Sequence, residues 1–220
     1  MMNITPITLT GVHVRLESPA EKHLADLLAA SQHGEIWEYL PFGPYKTVDE
    51  WRAAIQRWHE QAEQGSSMSF VIVRRSDERA VGMTAYIDIH SKDRWLEIGG
   101  TWLMPEVWRT PINTECKYLL LRHAFETLGC VRVQLKTDER NVRSQRAIER
   151  LGAVKEGVLR KYQKNDQDYH RNTVMYSIID MEWAGMKARL EEKLSKQSTV
   201  DRKILTTGYC RLTTRRGNDV

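Results

Sequence analysis

Several features are scarce or missing in this sequence, and each absence excludes a class of protein. Cysteine is rare: Cys116, Cys130 and Cys210 have neither CxxC nor metal-like spacing, and their odd number argues against a disulfide framework. No apolar run approaches the roughly 18 residues that a membrane-spanning helix needs. The N-terminus, MMNITPITLTG, lacks a basic region followed by an apolar core, so no secretory signal is expected. These absences predict a cytoplasmic protein with no metal site and no membrane partner.

An excess of positive or negative charge is also absent from most of the chain. The net charge is +4, and residues 195–220 carry six basic and two acidic side chains, which accounts for the whole excess. The preceding body is therefore formally neutral and lacks the phosphate-neutralising surface of nucleic-acid-binding proteins. Residues 195–220 are predicted to form a basic, flexible C-terminal tail. A ribosome- or RNA-associated protein that uses this tail is an alternative.

The order of predicted elements indicates one mixed domain over residues 1–194. A strand is predicted at 13–16, and capped helices are predicted to start at Ser18 and Thr47. Three antiparallel strands follow, at 69–74, 81–89 and 95–104. The later elements are a helix (112–128), a strand (131–135), a helix (142–151), two strands (near 153–163 and 170–179) and a helix (181–194). This order predicts an α/β sandwich, of the α+β kind, around one sheet.

The strand 95–104 combines a glycine pair with a carboxylate. Gly99-Gly100 in mid-strand indicates a β-bulge or a close approach by another group. Simple alternation places Leu96, Ile98, Trp102 and Met104 on one face, and Trp95, Glu97, Thr101 and Leu103 on the other. Desolvation of Glu97 between apolar residues would raise its pKa towards that of a useful general base. The alternative is a surface charge on a half-exposed strand.

The stretch MPEVWRTPINTECK (104–117) leads from this strand into a helix without any glycine. Phosphate loops usually contain glycine, but a helix N-terminus binds anions through its free N–H groups and its dipole. Pro111 is compatible with the first helical turn, which leaves the N–H groups of 112–114 facing an anion beside Arg109. Ordinary helix capping explains the same residues. Further on, Asn141 is predicted to cap a helix that ends at Gly152.

These motifs, in this order, resemble the GNAT N-acetyltransferases. The stretch EIGGTWLMPEVWRTPINTECKYLLLRHAFETLGCVRVQLKTDERNVRSQRAIERLGAVKEGVLR (97–160) is most similar to the RimJ/RimL-like branch, which includes protein N-terminal acetyltransferases. The resemblance extends over about residues 7–194. It implies a mixed, mostly antiparallel sheet of six to seven strands, splayed in the middle, with helices on both faces. It also implies direct transfer of the acetyl group of acetyl-CoA to a primary amine, of a protein N-terminus or a small molecule, in a ternary complex.

The resemblance also assigns site residues. Acetyl-CoA is expected between the strands 95–104 and 131–137, at Trp102, Leu103, Met104, Arg109, Thr110, Pro111, Ile112, Asn113, Thr114, Asn141, Arg143 and Ser144. Our hypothesis is that Glu97 is the general base, and Ser144 is the candidate that protonates the departing thiolate. The segment IWEYLPFGPY (36–45) is expected to line the acceptor side through Trp37, Tyr39, Phe42 and Tyr45, or else to be a packed loop. A monomer or homodimer is expected.

Three positions differ from the family signature Q/R-x-x-G-x-G/A in the loop before the helix. Trp108 stands at its first position, Pro111 at the first glycine and Asn113 at the last position. Asn-Thr-Glu after the loop is common in this branch, so Trp108 and Pro111 are the departures that bear on CoA affinity. They motivate a second alternative, a catalytically silent sensor that binds CoA or acyl-CoA.

Overall fold

Segments of alternating or continuous apolar residues form the strands of one sheet. The structure, a computed structural model, describes residue 2, residues 4–166 and residues 168–213, with side chains placed as far as residue 197. Within this part of the chain the sheet has eight strands: β1 (Leu9–Thr10), β2 (Val14–Glu17), β3 (Met68–Arg74), β4 (Arg79–His90), β5 (Trp95–Leu103), β6 (Arg132–Asp138), β7 (Val154–Lys164) and β8 (His170–Ile179). The expected number of six to seven was too low, since a strand as short as β1 shows no sequence period.

The strands follow the order β1-β2-β3-β4-β5-β6-β8-β7. Among these described strands, neighbours are antiparallel except for β5 and β6, which are parallel. This confirms the mixed, mostly antiparallel sheet. β5 and β6 are paired from Trp95↔Arg132 to Glu97↔Gln134 and separate beyond that point. The sheet is therefore splayed in its middle, as the resemblance implied.

Helices cover both faces of the sheet, because each strand buries alternate side chains on opposite sides. Helices α1 (Leu24–Ala30) and α2 (Val48–Glu63) lie on one face, and α3 (Pro111–Arg122) and α5 (Asp180–Thr213) lie on the other. Strand β3 shows the division: Val71 and Val73 belong to the core under α1 and α2, whereas Ile72 belongs to the core under α3 and α5. The short helix α4 (Val142–Glu149) follows β6.

Three of the predicted helix starts have the expected capping chemistry. Thr47 Oγ1 accepts a hydrogen bond from Glu50 N at 3.2 Å, and Asn141 Oδ1 accepts one from Ser144 N at 2.9 Å. Pro111 is the first residue of α3. The start predicted at Ser18 was wrong, because a 3-10 turn (Glu21–His23) comes first and His23 Nδ1 accepts from Ala20 N at 3.1 Å.

The last helix was predicted to end too early. α5 continues beyond residue 194 as far as Thr213, so part of the predicted tail is helical. Residues 214–220 of that tail lie outside the described residues.

A buried carboxylate ties the β1–β2 turn to α3. Glu115 is 4% exposed, and its two oxygens accept from the backbone N–H groups of Val12, His13 and Val14 at 2.7, 2.6 and 2.8 Å. Gly11 lets the chain pass this close, because a Cβ there would lie 2.4 Å from Glu115 Cδ. The contact spans about a hundred residues of sequence and fixes α3, whose N-terminus borders the cleft described below.

We predict that Glu115→Gln destabilises the fold, because an amide offers one acceptor oxygen where the carboxylate offers two. Hydrogen bonds to a charged, buried group suggest a loss of about 2 to 3 kcal/mol in the free energy of unfolding. Urea titration followed by circular dichroism measures this loss. Glu192→Gln is the matched control, since Glu192 pairs with Lys196 on an exposed surface. Equal unfolding midpoints for both variants would show that the turn is not held by Glu115.

Candidate functional site

The splay of the sheet coincides with a β-bulge at the glycine pair of β5. Facing β4, the Cα partners step from Met83↔Trp102 to Ala85↔Gly99, so that Gly100 and Thr101 together oppose Thr84. Gly100 has a φ of 58°, which glycine adopts without strain. A Cβ at Gly99 would lie 2.8 Å from Glu97 Oε1 and 2.5 Å from Ile87 Cδ1. The bulge predicted at Gly99-Gly100 is present, and both glycines are required by its geometry.

The extra residue reverses the face on which the following side chains lie. The Trp102 ring lies 5.4 Å from Trp37 and 6.1 Å from Trp51 between centroids, under α1 and α2. Leu96 and Ile98 lie in the opposite core, under α3. The prediction that Trp102 shares a face with Leu96 and Ile98 was therefore wrong, because uninterrupted alternation does not allow for the bulge.

Glu97 lies at the last paired position before β5 and β6 separate. Its side chain is 1% exposed, and its Oε2 lies 3.0 Å from both Gln134 Nε2 and Lys136 Nζ. Burial raises the pKa of Glu97, and the attraction of Lys136 with the two hydrogen bonds offsets this rise only in part. Glu97 is thus a desolvated carboxylate, and the alternative of a half-exposed surface charge does not describe it.

On the opposite side of the bulge lies a buried lysine that the sequence analysis missed. Lys117 Nζ, on α3, donates to Thr101 Oγ1 at 2.6 Å, and Thr101 Oγ1 lies 2.8 Å from Thr84 Oγ1. This network joins the bulged residue, the strand opposite it and the helix beneath. Burial lowers the pKa of Lys117 to about 8. The available signal was a lysine inside a helix that is apolar nearly all round.

The predicted acyl-donor residues form two walls of the cleft. On the β5 side, Thr110 caps α3: its Oγ1 accepts from Ile112 N at 3.4 Å and donates to Val107 O at 2.7 Å. The Ile112 N–H is therefore used by the cap, and the Thr114 N–H lies at the position that bonds to the carbonyl of the cap residue. Of the three expected N–H groups, that of Asn113 is left without an intrahelical partner. Arg109 is exposed beside them, with a φ of 64°. On the β6 side, Asn141, Arg143 and Ser144 form the start of α4.

A cavity of about 290 Å³ lies between α4 and the predicted acceptor segment, lined by Glu35, Glu38, Tyr39, Arg140, Asn141, Val142 and Arg143. Trp37 contacts both Trp102 and Phe42, whose ring centroid is 6.1 Å away. Tyr45 instead packs against Trp51 and Trp58 of α2, at 5.0 and 6.1 Å. The structure thus brings Tyr39 to the cavity and places Tyr45 in the packing of α2.

Two contacts that sequence reasoning missed hold the acceptor segment in place. Arg171 Nη1, from β8, donates to Tyr39 O at 3.0 Å. Asp166, in the β7–β8 turn, accepts from Gly43 N at 2.8 Å. Both contacts join residues more than a hundred positions apart, so no local sequence pattern predicts them.

Most of the chain that builds this geometry matches a known family. The sequence profile described as "Acetyltransferase (GNAT) domain" matches residues 13–154. The chain belongs to the GNAT acetyltransferase family. A solved structure from T. thermophilus, provisionally described as an acetyltransferase, is 40% identical, covers 88% of this chain and 100% of its own, and has a TM-score of 0.79.

Two further relatives extend this result. The Bacillus subtilis protein named "Uncharacterized N-acetyltransferase YoaA" is 26% identical over 70% of this chain and 85% of its own. The structure of Mycobacterium smegmatis RimJ in complex with CoA-disulfide shares the fold, with a TM-score of 0.75, 20% identity, and coverage of 84% and 93%. The chain is thus an N-acetyltransferase of the GNAT family, consistent with its RimJ/RimL-like branch. In the part of this GNAT chain that is described, no helix has the length and apolar content to cross a membrane.

We predict a pH-dependent stability that arises from Lys117. Its pKa is about 8 in the folded state, against an ordinary value of 10.5, so the unfolded chain binds more protons between these values. Stability should therefore rise with pH across this window, by at most about 3 kcal/mol relative to Lys117→Met. Urea titrations of both proteins at pH 7.5, 9 and 10.5 measure the difference. If the difference in the free energy of unfolding between the two proteins is the same at all three pH values, Lys117 is not a desolvated amine.

Proposed function

We propose that this GNAT enzyme transfers the acetyl group of acetyl-CoA directly to a primary amine, of a protein N-terminus or of a small molecule. The observation that carries the proposal is the separation of β5 from β6 immediately after the buried Glu97. A desolvated carboxylate at the point where two strands separate suits the aminolysis of a thioester, because it can accept the proton of the attacking amine. The CoA-disulfide bound by the RimJ structure supports the choice of donor.

The residues of the cleft fit acetyl-CoA. The edge of β5 beyond Glu97 has left β6 and can pair with an extended ligand by strand addition. A Cβ at Gly100 would meet nothing within 4 Å, so there is room beside the bulge. The free N–H group of Asn113 at the N-terminus of α3, with Arg109, offers a positive surface for the diphosphate. When bound, acetyl-CoA supplies an activated thioester carbonyl.

Glu97 is the general base in this proposal. Only a neutral amine is nucleophilic, and lysine amines titrate near 10.4 and α-amines near 7.7–8.0, so either kind benefits from a proton acceptor. Burial raises the pKa of Glu97, which strengthens it as a base. Lys136 keeps a useful fraction of it ionised by placing a positive charge 3.0 Å from its Oε2.

Ser144 and Asn141 act on the leaving group, the thiolate of CoA, in this proposal. Asn141 Oδ1 accepts from the backbone N–H of Ser144, so the Asn141 side chain is held against the first turn of α4, where Ser144 lies. The Ser144 hydroxyl is the proton donor to the departing thiolate, and Asn141 contacts the pantetheine arm. On the acceptor side, Glu35 and Glu38 line the cavity beside Tyr39 and attract an incoming ammonium.

The test of this proposal is thiol release. Wild-type protein is mixed with acetyl-CoA and a panel of amines (lysine, polyamines and peptides with free or blocked N-termini), and free CoA thiol is measured. We expect release with at least one free amine, and none with its blocked counterpart. Binding of acetyl-CoA without release for every amine would refute the proposed acceptor class, and the absence of binding would refute the donor.

We predict that Glu97→Gln lowers kcat with the best amine by about 10²-fold or more. Wild-type turnover should fall as the pH falls through the raised pKa of Glu97, because protonation removes the base. The variant should lack this limb. Glu60→Gln, on the exposed face of α2, is the control, and calorimetric CoA binding checks that the cleft of each variant is intact. Unchanged turnover and pH profile in Glu97→Gln would contradict the role of Glu97.

A further inference from the structure

Leu103 is the backbone position of β5 that faces the gap left by β6. Gly82 and Leu103 are Cα partners across β4 and β5, while Met104 N donates to Val81 O at 2.9 Å. Gly82 and Leu103 therefore form a non-hydrogen-bonded pair, in which both backbone groups of Leu103 point away from β4. Trp102 and Met104 point towards β4. Of the three backbone positions expected to meet the pantetheine arm, Leu103 alone among these described residues offers its carbonyl to the cleft.

That carbonyl is already occupied by a side chain of the same molecule. Trp108 Nε1 donates to Leu103 O at 2.8 Å. A 3-10 turn (Pro105–Val107) brings the tryptophan back against the strand, and Trp108 N donates to Pro105 O at 3.0 Å. The indole thus makes the contact that an extended ligand would make with an open strand edge.

A residue from the opposite wall holds the indole there. Arg143, in the first turn of α4, places its guanidinium carbon 3.6 Å from the centre of the Trp108 ring. Trp108 follows β5 and Arg143 follows β6, so this cation–π contact bridges the two strands on the side where they have separated. It lies at the rim of the cavity, which Arg143 also lines.

We propose that Trp108 and Arg143 form a latch that closes the acyl-donor cleft, with the Trp108 indole N–H occupying the Leu103 carbonyl until the donor displaces it. The identity of the donor rests on the function proposed above, whereas the latch itself is a property of the free protein. A ligand that binds only the open form has its apparent affinity reduced by the fraction of molecules that are open. Trp108 is thereby a determinant of donor affinity through its N–H group, not through a contact with the ligand.

The test compares CoA binding to wild type and to Trp108→Phe, which keeps an aromatic ring for Arg143 but has no N–H to donate. Isothermal titration calorimetry should show CoA binding about fivefold tighter in the variant, the effect expected for loss of one competing hydrogen bond. Trp183→Phe is the matched control. Trp183 lies on α5, and this variant also loses an indole hydrogen bond, the one that Trp183 Nε1 donates to Glu126 Oε1 at 2.9 Å. Its affinity for CoA should equal that of wild type. Equal or weaker CoA binding by Trp108→Phe would overturn the latch.

A second measurement needs no ligand and separates the latch from the proposed donor. The indole N–H resonance of Trp108 is assigned in ¹⁵N–¹H spectra as the one missing from Trp108→Phe. Its proton should exchange slowly with water in the wild type and several-fold faster in Arg143→Gln. Exchange that is equally fast in both proteins would overturn the latch. If CoA binds neither wild type nor Trp108→Phe, the proposal that acetyl-CoA is the donor is refuted. The exchange rate of the indole proton then tests by itself whether the latch exists.

Discussion

The extra residue that the glycine pair inserts into β5 is the constraint on which the rest of the site depends. Because Gly100 and Thr101 oppose Thr84, the strand bends away from β6 and the cleft opens. The same insertion turns Trp102 towards Trp37 and Thr101 towards Lys117. One local irregularity therefore separates β5 from β6, supplies an aromatic contact for the segment 36–45 and creates a polar network beneath the strand. Gly99 is equally constrained, since a side chain there would meet the Glu97 carboxylate.

Two buried charged side chains, Glu97 and Lys117, lie beside this bulge. Glu97 and Lys117 lie on opposite faces of the same strand, and each is buried enough for its pKa to move towards the neutral form. Neither group is expected to add stability, because the free energy lost when a charge is removed from water usually exceeds the free energy gained from its ion pair or hydrogen bonds. A carboxylate that is hard to ionise and an ammonium that is easily deprotonated are instead the properties expected if this region transfers protons, as we propose for Glu97. Lys136 limits the effect on Glu97 by supplying a partly buried opposite charge.

The sequence allowed the elements to be placed better than the contacts between them. The caps at Thr47 and Asn141, Pro111 in the first turn of α3 and the bulge at Gly99-Gly100 follow from chemistry within a few residues, so each could be predicted. The face of β5 on which Trp102 lies could not be predicted, since it depends on how many extra residues the bulge contains. The bonds from Arg171 to Tyr39 and from Trp108 to Leu103 depend on loop paths that no periodicity encodes. Sequence patterns report local geometry, whereas a catalytic cleft is built from partners distant in the chain.

The two sides of the cleft differ in how firmly they are fixed. The acceptor segment is tied by Arg171 and Asp166 to backbone groups of Tyr39 and Gly43, from elements that belong to the sheet and its terminal turn. The donor side is closed by side chains, the Trp108 indole and the exposed Arg143 guanidinium. Rotating two side chains requires no change in the sheet, so the donor side can open while the acceptor wall, Glu97 and the bulge keep their positions. An enzyme that depends on holding two reactants in line benefits from such a division, because the geometry around the reacting atoms stays fixed while the cleft admits its ligand.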